Sequence, residues 1–110
     1  MKKGLLIISL IIGCSSVWAQ EYGVTGILKD GEDGSPVVGA TIFLVNVKDS
    51  TIQYATASDE MGKFEIRQLS QAFFKLTITS IGYVAYAQYV RVTGLTELGL
   101  ITLQKDTKLL

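Results

Sequence analysis

The side chains that carry most enzyme chemistry are scarce in this 110-residue sequence. It has no histidine and one cysteine, Cys14, so the commonest general base and the usual zinc ligands are missing. Ser58 stands beside Asp59, but no base accompanies the hydroxyl. Ser and Asp are also common in turns because they bond to nearby backbone. We therefore expect no catalytic residue, no cofactor and no enzymatic activity.

Three carboxylates, Asp30, Glu32 and Asp33, lie close together and could offer oxygen ligands to Ca²⁺. Their spacing is not that of an EF-hand loop, and the neighbouring glycines Gly31 and Gly34 are typical of a solvated turn. The preferred interpretation is a turn, and we predict no metal site.

Three tyrosines, Tyr83, Tyr86 and Tyr89, could form an aromatic surface for a glycan or a peptide. Alternation along a strand places Tyr83 and Tyr89 on one face and Tyr86 on the other. A continuous platform of three rings is therefore not expected. We predict partial burial, with the hydroxyls at the rim.

Composition and charge limit the remaining functions. The sequence is 48% hydrophobic and 18% charged, which is enough apolar surface for one small folded domain. Its 10 basic residues balance 10 acidic ones, and they are scattered along the chain. Because a phosphate-binding surface needs clustered Lys and Arg, we expect no nucleic-acid partner.

The first nineteen residues have the pattern of a signal peptide. Lys2 and Lys3 precede an apolar run over residues 5–12, which is too short to span a bilayer. Small or compact residues before Gln20 predict cleavage between Ala19 and Gln20, which would release a soluble chain.

A second processing route remains open at Cys14. The residues Ile11-Ile12-Gly13-Cys14 resemble a lipobox, in which the cysteine is lipidated and becomes the mature amino terminus. This route would tether the domain to a membrane, whereas cleavage after Ala19 would discard the thiol. A disulfide is excluded either way because no second cysteine exists.

The remaining sequence predicts an all-β fold, because short β-branched and aromatic runs alternate with Gly, Asp, Asn and Ser. About seven strands are expected, in an antiparallel sandwich of two sheets. They are Tyr22–Leu28, Thr41–Val47, Ile52–Ala57, Lys63–Arg67, Phe74–Thr79, Tyr83–Val92 and Leu98–Leu103. Thr41–Val47 and Tyr83–Val92 are predicted to be central strands. The predicted core contains Phe64, Ile66, Phe74, Leu76 and Ile78, which alternate with polar residues along their strands.

Turn residues separate these strands. The stretch Asp30–Pro36 carries two glycines and the only proline, so the first strand is expected to end there. Asp59–Gly62 predicts a tight hairpin that presents Phe64 to the core, with Gly62 in the left-handed conformation.

Two further glycines have predicted structural roles. Gly39 and Ala40 open a strand with minimal side chains, which suggests that another backbone or the Tyr83 ring lies close above them. Gly82 is expected to permit a twist or bulge before Tyr83.

Five ordered motifs resemble the carboxypeptidase regulatory-like domain over residues 23–103. They are Val24-Thr25-Gly26, Asp30, Pro36–Ile42, Ser58–Ile66 and Ile81-Gly82-Tyr83. The resemblance implies a transthyretin-like, seven-stranded sandwich. Such a domain often directly follows the signal peptide of TonB-dependent outer-membrane β-barrel receptors in Bacteroidetes-like bacteria.

The resemblance also implies an organisation and a partner. Residues 20–104 would form the sandwich, and residues 105–110 would be a connecting tail, truncated before a plug and barrel. The chain is too short to form such a barrel itself. The expected role is a non-catalytic accessory domain at the periplasmic face of the outer membrane. It would contact a barrel, a plug or another periplasmic protein, and would reach a membrane only through the parent barrel or a lipidated Cys14.

Two further expectations concern the surface that would contact the partner and an alternative function. The edge strand nearest the carboxyl terminus is the preferred contact, because an unpaired strand edge can accept another strand. The alternative function is a free-standing lipoprotein or secreted sandwich that binds carbohydrate or protein.

Overall fold

The computed structural model describes residues 21–106, which form seven β-strands and no helix. The strands are β1 Gly23–Asp30, β2 Thr41–Asn46, β3 Gln53–Ala57, β4 Lys63–Arg67, β5 Ala72–Thr79, β6 Tyr86–Val92 and β7 Leu95–Leu103. The predicted cleavage between Ala19 and Gln20 and the predicted lipidation of Cys14 lie outside the described residues. Within residues 21–106, no helix is long and apolar enough to cross a membrane.

The strands form two sheets, which confirms the predicted all-β sandwich. The smaller sheet has the order β4-β1-β7 and the larger sheet the order β3-β2-β5-β6. Neighbouring strands are antiparallel with one exception: β1 and β7, the first and last strands, are parallel. A parallel pair requires a long crossover, and strands β2 to β6 together supply it.

The core lies between the sheets. Alternation is clearest in β4, where buried and exposed side chains follow each other without a break. The five predicted core residues are all buried: Phe64, Ile66, Phe74, Leu76 and Ile78. Burial of each such side chain contributes about 1.5–3 kcal/mol to the hydrophobic driving force.

One predicted central strand is correct and the other is wrong. β2 pairs with β3 on one side and β5 on the other, as expected for Thr41–Val47. The segment Tyr83–Val92 does not form a central strand, because β6 begins only at Tyr86 and lies at the edge of the larger sheet. Tyr83 instead forms an isolated bridge with Lys105.

The segment Asp59–Gly62 is a tight turn but not a hairpin. The Asp59 carboxylate accepts hydrogen bonds from the backbone N–H groups of Met61 and Lys63, both at 2.9 Å. Gly62 has a φ of 80°, as predicted. The strands on either side, however, belong to different sheets, because β3 pairs with β2 and β4 pairs with β1. The turn therefore connects the two layers of the sandwich.

The two predicted glycine roles need correction. The space where a Cβ on Gly39 would stand is empty to 4 Å, so the Tyr83 ring does not cover it, while the backbone of Ser58 lies beside Gly39 and Ala40 through hydrogen bonds of 3.0 and 3.1 Å. Glycine is favoured at position 39 because its φ of 75° is a backbone conformation that residues with a side chain rarely adopt. Gly82, at φ 89°, lies in a turn closed by a hydrogen bond from the N–H of Tyr83 to the carbonyl of Ser80, and not in a bulge. The close backbone approach occurs at Gly62, where a Cβ would lie 2.3 Å from the Leu28 carbonyl oxygen.

Candidate functional site

A buried carboxylate at the end of β1 meets two polar side chains, and these three residues, Asp30, Tyr83 and Lys105, are called here the Asp30 cluster. Asp30 ends β1 and continues the inward phase of Leu28, so its side chain enters the sandwich and is only 2% exposed. The turn after β5 supplies Tyr83, and the segment after β7 supplies Lys105. Three distant parts of the chain therefore meet at one carboxylate.

Hydrogen bonds keep this carboxylate ionised. Oδ2 of Asp30 accepts a hydrogen bond from the Tyr83 hydroxyl at 2.7 Å. Oδ1 accepts from the backbone N–H groups of Glu32 at 2.7 Å and Asp33 at 3.3 Å. Because the Tyr83 hydroxyl and then the Glu32 amide stabilise the charged form, the pKa of Asp30 lies below its ordinary value of 3.8.

The same contact acts in the opposite direction on the phenol. Its hydrogen bond to the Asp30 carboxylate, followed by burial, raises the pKa of Tyr83 from 10.0 to about 12. An ionised carboxylate and a phenol with this pKa are both poorly matched to proton transfer near neutral pH. The Asp30 cluster is therefore suited to holding structure, not to acid–base chemistry.

The carboxylates that could have bound calcium already have partners. Oδ1 of Asp33 accepts hydrogen bonds from the N–H of Ser35 at 2.9 Å and from its hydroxyl at 2.7 Å. Lys105 Nζ lies 3.7 Å from carboxylate oxygens of both Asp30 and Glu32. Across residues 21–106, no group of three or more His, Cys, Asp or Glu residues has the arrangement of a metal site. The geometry is that of a turn closed by an ion pair.

The Asp30 cluster fixes the segment that follows β7. The N–H of Val84 donates to the carbonyl of Gln104 at 2.8 Å, and the N–H of Asp106 donates to the carbonyl of Gly82 at 2.9 Å. Together with the Lys105 ion pair, these bonds hold residues 104–106 against the turn after β5. We call these three residues the docked segment.

Ser58 is buried and its hydrogen-bonding capacity is used by the backbone. Its hydroxyl donates to the carbonyl of Val37 at 2.7 Å and accepts from the N–H of Ala40 at 2.9 Å. Within residues 21–106, no buried side-chain nitrogen or oxygen lacks a hydrogen-bond partner. The predicted backbone role of Ser58 agrees with this geometry, and the neighbouring Asp59 shapes the turn described above.

The three tyrosines are dispersed, and the prediction that Tyr83 and Tyr89 share a face is wrong: Tyr83 and Tyr86 pack against the core, whereas Tyr89 faces outward, because the strand begins only at Tyr86. Tyr83 belongs to the Asp30 cluster, and the Tyr86 hydroxyl donates to the side-chain carbonyl of Gln88. Tyr89 lies on the outer face of the larger sheet and is 61% exposed. Its ring centroid is 6.2 Å from that of Phe73, an exposed pair that the sequence reasoning missed. Alternation could have revealed this pair: because Phe74 was predicted to face the core, the preceding Phe73 must face outward.

An open groove of about 620 Å³ is lined by residues of the smaller sheet and by Thr56 and Ala57 of β3 in the larger sheet. Its charged lining comes from Lys63, Glu65, Glu97 and Asp59. Lys63 and Glu65 are exposed side chains of β4, and Glu97 is an exposed side chain of β7. The groove therefore lacks the buried, convergent polar groups that orient a small ligand.

Several solved structures have a fold similar to that of this chain. The chain matches 3-chlorocatechol 1,2-dioxygenase from Rhodococcus opacus 1CP with a TM-score of 0.63 at 12% identity, over 80% of this chain and 61% of that one. It matches the group B streptococcus pilus 2b backbone protein with a TM-score of 0.62 at 16% identity, over 80% of this chain and 42% of that one. The C-terminal domain of the shaft pilin SpaA from Lactobacillus rhamnosus GG gives a TM-score of 0.59 at 16% identity, over 80% of this chain and all of that one.

These identities support a shared fold alone, since enzymes and pilus proteins occur among the matches. The chain spans 61% and 42% of the first two structures. No curated protein matches the sequence. The sequence model of the carboxypeptidase regulatory-like domain matches residues 23–104, which covers all seven strands. The chain therefore belongs to the carboxypeptidase regulatory-like domain family.

Proposed function

We propose that this chain is a non-catalytic accessory domain at the periplasmic face of an outer membrane, where it serves a TonB-dependent receptor-type β-barrel protein. The observation that carries this proposal is the docked segment. Residues 104–106, the last that the structure describes, are bonded to the turn after β5 and to Asp30, so this end of the described sandwich is held in a fixed position. A domain built in this way is suited to positioning what it is attached to.

The polar groups of the interior support the non-catalytic part of the proposal. The Ser58 hydroxyl is bonded to backbone on both its donor and acceptor sides. Asp30 and Tyr83 are bonded to each other, and their pKa values move away from neutrality in opposite directions. A general acid or base works best with a pKa near the operating pH, and these two groups lack it.

Strand β7 is the proposed contact with the parent protein or another periplasmic partner. It lies at the edge of the smaller sheet and has a strand partner, β1, on one side. Beyond the irregular register between Thr25 and Ile27, Leu100–Leu103 pair in regular order with Ile27–Asp30. Such a regular edge can accept an additional strand through backbone hydrogen bonds.

The test uses a single engineered thiol in cells that naturally export the chain. Leu100→Cys places a thiol on β7 at a position 62% exposed, and Met61→Cys, at a position 65% exposed in the turn between the layers, is the matched control. The chain should fractionate with the outer membrane, and a maleimide–diazirine crosslinker attached to the engineered thiol should, on irradiation, join Leu100→Cys, but not Met61→Cys, to a β-barrel protein. Recovery only in the soluble fraction, or equal joining from both positions, would overturn the proposal.

A second candidate function is a free-standing lipoprotein or secreted domain that binds carbohydrate or protein. The exposed Phe73–Tyr89 pair favours it, because paired aromatic rings are good contact surfaces. The neighbouring genes separate the two candidates: a barrel-coding continuation immediately downstream supports the accessory role, whereas an isolated gene whose exported product carries a diacylglyceryl-modified Cys14 by intact mass supports this one.

A further inference from the structure

The strands of the larger sheet carry exposed apolar side chains and cations on their outer face, and one residue with a carboxylate, Asp49, lines a groove with Phe73 and Arg91 at one end of this face. Phe43, Phe73 and Tyr89 are 42%, 44% and 61% exposed. Lys75 and Arg91 are exposed on the same face. The four strands of this sheet contain no Asp or Glu. The strand residues of this face are therefore apolar at its centre and positive in charge, with one carboxylate, Asp49, at its end.

Four of these residues form a compact group, called here the outer-face quartet. β5 and β6 pair so that Phe73 stands opposite Arg91 and Lys75 opposite Tyr89. The Arg91 guanidinium lies 5.2 Å from the centroid of the Phe73 ring, and the Phe73 and Tyr89 rings lie 6.2 Å apart. These contacts hold a cation and two aromatic rings in place before any partner arrives, which lowers the entropic cost of binding.

The two cations of the quartet are available to a partner. The salt bridges of the described residues are formed by Arg67 and Lys105, and neither Lys75 nor Arg91 belongs to them. Aromatic rings and Arg are also the residue types that dominate binding energy at protein interfaces.

We propose that the outer-face quartet binds a protein partner whose contacting surface combines apolar side chains with carboxylates. Charge complementarity selects this partner, because a positive surface steers and orients a negative one. The proposal goes beyond the accessory role above, since it concerns the opposite sheet from β7 and stands whether or not a barrel is present.

Other occupants fit this face less well. Two cations contribute only about 2 kcal/mol of attraction to an anionic membrane, which is too little for stable attachment. A second copy docked symmetrically through the same face would bring Lys75 and Arg91 toward their own equivalents, and like charges oppose that contact. Nucleic acid would require more clustered cations than this pair supplies.

The test is photo-crosslinking of the full chain in cells that naturally produce it. Phe43→p-benzoylphenylalanine places the probe beside the quartet and keeps an aromatic side chain there. Met61→p-benzoylphenylalanine is the control, because Met61 lies in the turn between the layers and not on this face. Irradiation should join the Phe43 probe to another protein, and the mapped peptide should contain several carboxylates next to apolar residues.

Charge reversal supplies the decisive comparison. Arg91→Glu or Lys75→Glu should lower the crosslinked yield about tenfold or more, because attraction becomes repulsion. Lys63→Glu, an exposed cation on the smaller sheet, should leave the yield unchanged. Before the yields are compared, circular dichroism spectra are recorded to check that each variant is folded.

Every other outcome overturns the proposal. A product formed with a second copy would assign the face to self-association, and a product formed only with lipid would assign it to the membrane. A mapped peptide without carboxylates, equal labelling from the Met61 probe, an equal effect of Lys63→Glu, or no product at all would each contradict an acidic protein partner.

Discussion

The bonds around Ser58 lead to a sharp prediction for the stability of the fold. Four hydrogen bonds join this residue to the segment that leads into β2. Two involve its backbone, with Gly39 at 3.0 Å and Ala40 at 3.1 Å. The other two involve its hydroxyl, which bonds the carbonyl of Val37 and the N–H of Ala40. Ser58→Ala removes only the hydroxyl pair.

The expected cost follows from the burial of the two groups left behind. Val37 is 3% exposed and Ala40 is fully buried, so water cannot easily replace the lost hydroxyl. Each unsatisfied buried polar group costs about 1–3 kcal/mol, and we expect the two together to lower the free energy of unfolding by about 2–4 kcal/mol. For a domain of this size, that loss lowers Tm by roughly 10–20 °C.

Urea denaturation followed by far-UV circular dichroism measures this change. Ser70→Ala is the matched control, because Ser70 is exposed and the same atoms are removed. An unfolding free energy of Ser58→Ala within about 0.5 kcal/mol of that of Ser70→Ala would refute the reasoning, since it would mean that the hydroxyl bonds make no net contribution.

Two further predictions concern backbone strain and pH. Gly62→Ala should lower the free energy of unfolding by more than about 3 kcal/mol, because its Cβ would lie 2.3 Å from the Leu28 carbonyl oxygen. Gly34→Ala should cost only about 1 kcal/mol, since its φ is also positive but nothing lies within 4 Å; thermal melts with equal losses would contradict this contrast. Because Tyr83 lowers the pKa of Asp30 below 3.8, the wild type gains stability that is present above that pH and is lost as pH falls through the folded pKa. Tyr83→Phe should therefore lose less stability on acidification than the wild type. If urea titrations give parallel pH–stability curves for the two proteins, the Tyr83–Asp30 hydrogen bond does not stabilise the ionised carboxylate. Absorbance titration of the wild type should also reveal one tyrosine with a pKa of about 12, which Tyr83→Phe lacks.

Local alternation predicted most of the strands and the core, because side chains on successive strand residues point to opposite faces. Phe74, Leu76 and Ile78 are buried for this reason. Partner choice between strands is a property of the whole chain. Alternation therefore indicated neither the parallel pairing of β1 with β7 nor the edge position of β6.

The Asp30 cluster shows the same limit at the level of a site. The sequence predicted a solvated turn at Asp30, because glycines stand beside the carboxylates there and the spacing is not that of a calcium loop. Its partner Tyr83 lies 53 positions away, and no local pattern connects the two. Strand alternation could have indicated that Asp30 is buried, because it follows Leu28 by two positions and therefore lies on the same inward face.

The parallel pairing of the first and last strands has a mechanical consequence. A pulling force applied at Gly23 and at Leu103 would act along the two strands in opposite directions, so that β1 and β7 must slide past each other. Seven paired positions would resist this sliding together, whereas a hairpin pulled at its ends opens one pair at a time. The sandwich is thus arranged to transmit tension between its two ends with little extension before it yields.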